Sequence, residues 1–134
     1  MDNTLFENVI LDSDFIFGFF DTSDANHTRA KEMYEVIKKS NLIILNITRF
    51  EVITLVSRRA NQEFAKQVLS ELDGFDPQIF FVDEQSEAEI WAEFHRHSKK
   101  NISLIDCANL VFARKLRAKI ASFDQFYPAE FLVG

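Results

Sequence analysis

Residues 9–14 read Val9-Ile10-Leu11-Asp12-Ser13-Asp14, an apolar triplet broken abruptly by acid. Unbroken apolarity suits a strand covered on both faces, as in a parallel sheet, whereas a strand with one wet face alternates. Three further runs repeat the theme: Leu42-Ile43-Ile44-Leu45, Ile79-Phe80-Phe81-Val82 and Lys119-Ile120-Ala121-Ser122-Phe123. Phe131-Leu132-Val133 is expected as a last short strand. Between the runs the period changes. Ala30, Met33, Tyr34 and Ile37 mark one amphipathic helix. Phe64, Val68, Leu69 and Leu72 mark another, with a glycine stop expected at Asp73-Gly74. Ile90, Trp91 and Phe94 suggest a third, and Leu104, Ala108, Val111 and Phe112 a fourth. Strand–helix alternation predicts an α/β fold: a three-layer α/β/α sandwich around a mainly parallel twisted sheet of four to five strands.

The chain has 134 residues, 47% hydrophobic and 27% charged, with 21 acidic against 15 basic side chains and a net charge of −6. That length fits one domain spanning 1–134, and no repeat or Gly/Ser/Pro-rich linker divides it. The longest apolar stretch, Phe15 to Phe20, is far below the roughly 20 residues a bilayer span needs, so no membrane partner is expected. The start, MDNTLFEN, has acids where a secretory signal has basic residues. Cys107 is the one cysteine, which excludes an internal disulfide and multi-cysteine zinc sites. A reducing, cytoplasmic location is the expectation. The acidic balance argues against nucleic-acid binding by bulk charge, but not against an enzyme that meets phosphate through metal ions.

Ligands of open parallel sheets bind beyond the carboxyl ends of the strands. Asp12 follows the first run and Asp124 follows Phe123. Glu51 is expected in the first turn of a helix starting after Leu45, and Asp106 in the first turn of one opening at Ser103. Each acid also has a structural reading. Thr48-Arg49-Phe50-Glu51 and Ser103-Leu104-Ile105-Asp106 both fit a capping box, and Asp12 and Asp124 fit turn or N-cap aspartates. Four converging carboxylates repel, and a hard divalent cation, Mg²⁺ or Mn²⁺, resolves that repulsion. His95 and His97, spaced i, i+2 so that they diverge on a helix, are expected as surface residues of the basic segment His95-Arg96-His97-Ser98-Lys99-Lys100 rather than as ligands.

The segments VILDSD, ITRFEVITLVSRR, SLIDCANLVFARK and IASFDQF together resemble the PIN-domain family, in particular its small stand-alone ribonuclease toxins of bacterial and archaeal toxin–antitoxin pairs. The resemblance runs from Val9 to about Phe126, and DANHTRA (24–30) is similar to the family's loop into its second helix. It implies a metal-dependent endoribonuclease with Asp12, Glu51, Asp106 and Asp124 as catalytic metal ligands and Ser122 in support. It also implies products ending in 5′-phosphate and 3′-hydroxyl, a homodimer and a cognate antitoxin protein. Asp14 departs from the family pattern, where Asn or another small polar residue is frequent.

Other readings compete. Asp12-Ser13-Asp14 after a strand also resembles the opening of haloacid-dehalogenase-type phosphohydrolases, with Asp12 as nucleophile and Asp14 as general acid. The Gly-Asp-x-x-x-Asp segment of that family is not found in IASFDQFYPAE. A catalytically inactive PIN-like binding module is the non-enzymatic alternative. Three scattered glycines exclude a phosphate-binding glycine loop. Cys107 is expected to be a small buried residue. Candidates for RNA phosphate contact are Arg49, Arg58, Arg59, Lys99, Lys100 and Arg114. With 15 phenylalanines, some aromatic surface is expected at an interface, with FIFGFF and the Ala30–Ile37 face as contributors.

Overall fold

The computed structural model describes residues 6–98 and 101–134. Lys99 and Lys100 lie outside the described residues. The strands are β1 (Asn8–Leu11), β2 (Asn41–Leu45), β3 (Gln78–Phe80) and β4 (Lys119–Ala121), all parallel, in the order β3-β2-β1-β4. The helices are α1 (Ser13–Phe20), α2 (His27–Ile37), α3 (Asn46–Arg59), α4 (Gln62–Gly74), α5 (Glu84–His95) and α6 (Leu104–Leu116).

Alternate strand residues feed two cores. Val9, Leu11, Leu42, Ile44 and Ala121 point toward α1–α4, while Ile10, Ile43, Leu45 and Ile120 point toward α5 and α6. Both faces are covered, which is why the runs are unbroken. Helices on both faces of one parallel sheet make the expected three-layer α/β/α sandwich.

Several local expectations change. The expected fifth strand shrinks to one bridge, Ile120 with Leu132, after a 3₁₀ turn at Ala129–Phe131. Gly74 is the last residue of α4 and not a left-handed stop; Asp76 takes the positive φ of 52°. The capping box at Thr48 does not form. β2 runs straight into α3, whose N-cap is Leu45, so Thr48 sits inside the helix with its buried hydroxyl unpartnered. Asn46 is diverted to the sheet: its Oδ1 accepts from Val82 N at 3.0 Å.

FIFGFF lies within α1; Phe15 is buried, and Phe17, Phe19 and Phe20 are half-buried against the same core. Phe19 and Phe20 pack with Tyr34 of α2 and Phe75 at centroid separations of 5.0–5.6 Å. Gly18 permits the tight α1–α2 approach, since a Cβ there would meet Ala30 Cβ and Asn26 O at 3.2 Å. The exposed large apolar side chains are Val36, within the Ala30–Ile37 stretch, and Phe50, Phe81, Trp91 and Leu104.

Candidate functional site

The strand order reverses between β1 and β4: the chain steps from β1 outward to β2 and β3, then returns to the other side of β1. A crevice opens at such a reversal, beyond the carboxyl ends of the strands. Asp12 leaves β1 there and Ser122, Phe123 and Asp124 leave β4. The ladder continues one step past β1, Asp12 N donating to Ala121 O at 3.1 Å, so the two acidic ends are fixed against each other.

Asp12 is 2% exposed. Its Oδ1 accepts from Ser13 N at 2.8 Å and from Asn109 Nδ2 at 3.1 Å, and its Oδ2 from the Tyr127 hydroxyl at 3.0 Å. The same hydroxyl stands 3.3 Å from Asp106 Oδ1 and accepts from Asn109 Nδ2 at 3.2 Å. Tyr127 thus bridges two carboxylates with one proton. Burial, together with the charges of Asp14 and Asp106, pushes the Asp12 carboxyl up to about 7.

Asp106 forms the expected capping box with Ser103: Asp106 N donates to Ser103 Oγ at 3.0 Å and Ser103 N to Asp106 Oδ2 at 3.2 Å. Its carboxyl is raised by burial and by the charge of Asp124. Capping one end and facing Tyr127 with the other, this carboxylate does both jobs its sequence context allows. Glu51 lies a turn deeper in α3 than expected. Its carboxyl is raised by burial and by Asp106, while a hydrogen bond with the Ser13 side chain opposes the rise.

Asp14 holds the β4 end in place. Its Oδ2 accepts from Ser122 Oγ at 3.1 Å and from Phe123 N at 2.8 Å. Ser122 Oγ in turn accepts from Asp124 N at 3.0 Å, and Asp124 Oδ1 from Phe126 N at 2.9 Å. Burial raises the Asp14 carboxyl, and its Oδ1 is buried without a partner.

The expected acids therefore share one edge and sense one another electrostatically. As they stand, no three Asp, Glu, His or Cys side chains among the described residues converge tightly enough to enclose a metal ion. The donor set of Asp12, Glu51, Asp106 and Asp124 is nonetheless all oxygen. Repulsion among these carboxylates, with those of Asp12, Glu51 and Asp106 raised by burial and by neighbouring acids, is what a hard cation relieves.

Sequence reasoning missed Asn109 and Tyr127. The available signal was a polar residue inside the apolar stretch Leu104–Phe112, on the Asp106 face one turn on. His97, expected at the surface, is half-buried: its Nε2 lies 2.6 Å from Oε2 of Glu93, itself 2% exposed and also bound by Arg96 and Arg114. Arg49 is tied to Asp73 through both carboxylate oxygens. Cys107 is fully buried and its thiol is raised to about 11 by burial and nearby carboxylates, as an inert core residue.

No curated protein matches the chain. A solved structure, that of Mycobacterium tuberculosis VapC20, a toxin described as cleaving the sarcin–ricin loop, superposes with a TM-score of 0.81 at 21% identity. The superposition covers 93% of this chain and 96% of that one. The PIN domain family model matches residues 9–127, from the first buried strand to the tyrosine that clamps Asp12, and the chain belongs to the PIN-domain family.

Proposed function

We propose that this chain is a Mg²⁺- or Mn²⁺-dependent endoribonuclease, the toxin component of a toxin–antitoxin pair. The observation that carries this reading is the buried Asp12 carboxyl, raised to about 7 among acids from β1, α3, α6 and the β4 end. Asp12, Glu51, Asp106 and Asp124 would hold the cation. When bound, such an ion supplies Lewis acidity, acidifying water and offsetting charge on a phosphodiester. Tyr127 and Asn109 grip Asp12 from the protein side and fix its orientation. Asp14 acts through Ser122 and the Phe123 amide, holding Asp124 at the crevice. Hydrolysis needs no covalent nucleophile from the chain, and the products would end in 5′-phosphate and 3′-hydroxyl.

A cognate antitoxin protein and a cytoplasmic location follow from the same reading. Among the described residues no helix is long and apolar enough to cross a membrane. A homodimer is part of the proposal. Its expected contributors are the half-buried Phe17, Phe19 and Phe20 of α1 and the exposed Val36 of α2, with Phe50, Phe81, Trp91 and Leu104 as further exposed apolar side chains. Light scattering at the mass of a single chain, at high concentration, would rule the dimer out.

The direct test is cleavage of a mixed RNA pool with and without Mg²⁺, alongside melts in either cation. Cation-dependent cutting and a raised melting temperature are expected. A parent protein that cuts no RNA and melts identically with millimolar Mg²⁺ or Mn²⁺ would leave the binding-module reading in its place.

A further inference from the structure

Beside the acids lies a second feature that neither the family nor the metal site explains. A groove of about 590 Å³ runs between α2 and the segment following β4, lined by Arg29, Glu32, Val36, Phe123, Asp124 and Gln125 among others. Its one cation among the described residues faces two carboxylates, so a base rather than a phosphate is the part of RNA it suits. At its upper end the Arg29 guanidinium carbon sits 4.6 Å from the centroid of the Phe123 ring. The stack is held from both sides. Arg29 Nη1 donates to Asn26 Oδ1 at 3.1 Å, and Asn26 N donates to Asp24 Oδ1 at 2.8 Å. Phe123 is pinned through its backbone N–H to Asp14, one residue from Asp124. Among the described residues Arg29 forms no ion pair, and its side chain is exposed.

We propose that this Arg29–Phe123 stack, with Gln125 at its lip, is a subsite for an unpaired RNA base flanking the bond that is cut. The inference rests on the ribonuclease reading and deepens it. A net charge of −6 removes bulk attraction for RNA, so affinity has to come from local contacts. An arginine plane laid on an aromatic ring offers a flat cationic face, and unstacked bases bind such faces. The exposed carboxamide of Gln125 can both donate to and accept from a base edge. Continuity decides between RNA and a protein segment as occupant. Ser122 and Asp124 line the groove and also belong to the acidic edge, so the groove opens directly onto the acids and a strand lying across them can place its next base on the stack. A duplex keeps its bases paired and cannot use the stack, so the subsite selects single-stranded RNA.

The test measures binding of a short fluorescent single-stranded RNA and its blunt duplex to the full chain, together with steady-state cleavage. Arg29→Ala, and Arg29→Lys, which keeps the charge but not the plane, should each weaken single-strand binding roughly tenfold. KM should rise with it, kcat and Mn²⁺ binding should stay near parent values, and duplex binding should not change. Phe123→Leu should follow, with a melt to verify folding. Lys66→Ala on α4 serves as the control and should match the parent. Full recovery by Arg29→Lys would reduce the contact to charge and overturn the stacking subsite. So would parent-like single-strand binding and KM in both Arg29 variants. In each of these cases the parent still cuts RNA. A parent that neither binds nor cuts RNA sinks the nuclease reading itself, and the subsite with it.

Discussion

The hydroxyl of Tyr127 stands 3.0 Å from Asp12 Oδ2 and 3.3 Å from Asp106 Oδ1, joining carboxylates 94 positions apart in sequence through a side chain that is itself only 3% exposed. One phenol proton cannot be given to both acids at once, so the pair is held together by a shared donor while their charges push them apart. Removing that donor with Tyr127→Phe leaves a buried carboxylate oxygen without its partner. Stability should fall by about 1–3 kcal/mol. Cleavage should fall about 10–100-fold, as for other residues that orient a metal-binding side chain. The discriminating readout is the Mn²⁺ concentration for half-maximal activity, which should rise. A melt that shifts with unchanged cation dependence would mean the tyrosine supports only the fold.

The Asp12 carboxyl gives the cation-free protein a characteristic pH dependence. Its value in the folded chain is about 7 against 3.8 ordinarily. Between those values the folded chain keeps a proton that the unfolded chain has released, so stability declines as pH rises through that window and the loss is complete above about 7. The full gap corresponds to on the order of 4 kcal/mol. Asp14, Glu51 and Asp106 are shifted in the same direction and add to the slope. Melting temperature in a chelator should therefore fall between about pH 4 and about pH 7, and saturating Mg²⁺ should flatten the decline. A melting temperature that rises over that range without cation would contradict the picture.

The fold was legible in the sequence because its physical cause is local to each run. Val9 and Leu11 face one core and Ile10 the other, so burial on both sides leaves no polar residue in the triplet. Strand and helix ends were less legible, since long-range partners decide them. Asn46 is drawn to Val82, and α3 then starts ahead of Thr48, which moved Glu51 deeper than its capping pattern implied. The capping role of Asp106 was legible because its capping box is a four-residue device, Ser103 to Asp106, that needs nothing distant. Tyr127 carries no periodicity that marks it. Its role exists only once β1, α6 and the segment after β4 meet at the reversal of strand order.

Glu93 separates fold from chemistry. Burial alone would raise its carboxyl, yet the hydrogen bonds and charges of His97, Arg114 and Arg96 outweigh that and hold it below the ordinary glutamate range. It couples α5 to α6 through Arg114 and reaches the Phe126 ring through His97, whose ring centroid lies 5.0 Å away. Glu93→Ala removes the buried acceptor of three cationic or imidazole donors whose own side chains reach solvent, and should cost about 1–3 kcal/mol. Because a lowered carboxyl stabilises only while ionised, the parent's share of this stability disappears as pH drops through the folded value. The contribution therefore opposes that of Asp12. Cation affinity of whatever Glu93→Ala protein folds should match the parent. A loss of Mn²⁺ binding by folded variant would tie this cluster to the site.

Asp12 and Asp14 separate the functional readings, because the structure gives these neighbours different work. Asp12 is gripped by Tyr127, Asn109 and the Ser13 amide among other acids, whereas Asp14 accepts the Ser122 hydroxyl and the Phe123 amide on one oxygen. Asp12→Asn keeps the shape and removes one repelling charge. The cation-free protein should melt higher, while cation binding and RNA cleavage should drop together by about 100-fold or more. Asp14→Asn still presents a carbonyl oxygen to Ser122 and Phe123, so cleavage should change only mildly. A dehalogenase-type phosphohydrolase makes Asp14 the general acid, and there its amide variant should be as inactive as Asp12→Asn on a phosphate monoester. The two assays, run on the same three proteins, point in opposite directions. Mild loss at Asp14 with collapse at Asp12 on RNA supports the nuclease. Equal collapse on a monoester, with RNA untouched by the parent, would return the chain to the D-x-D reading.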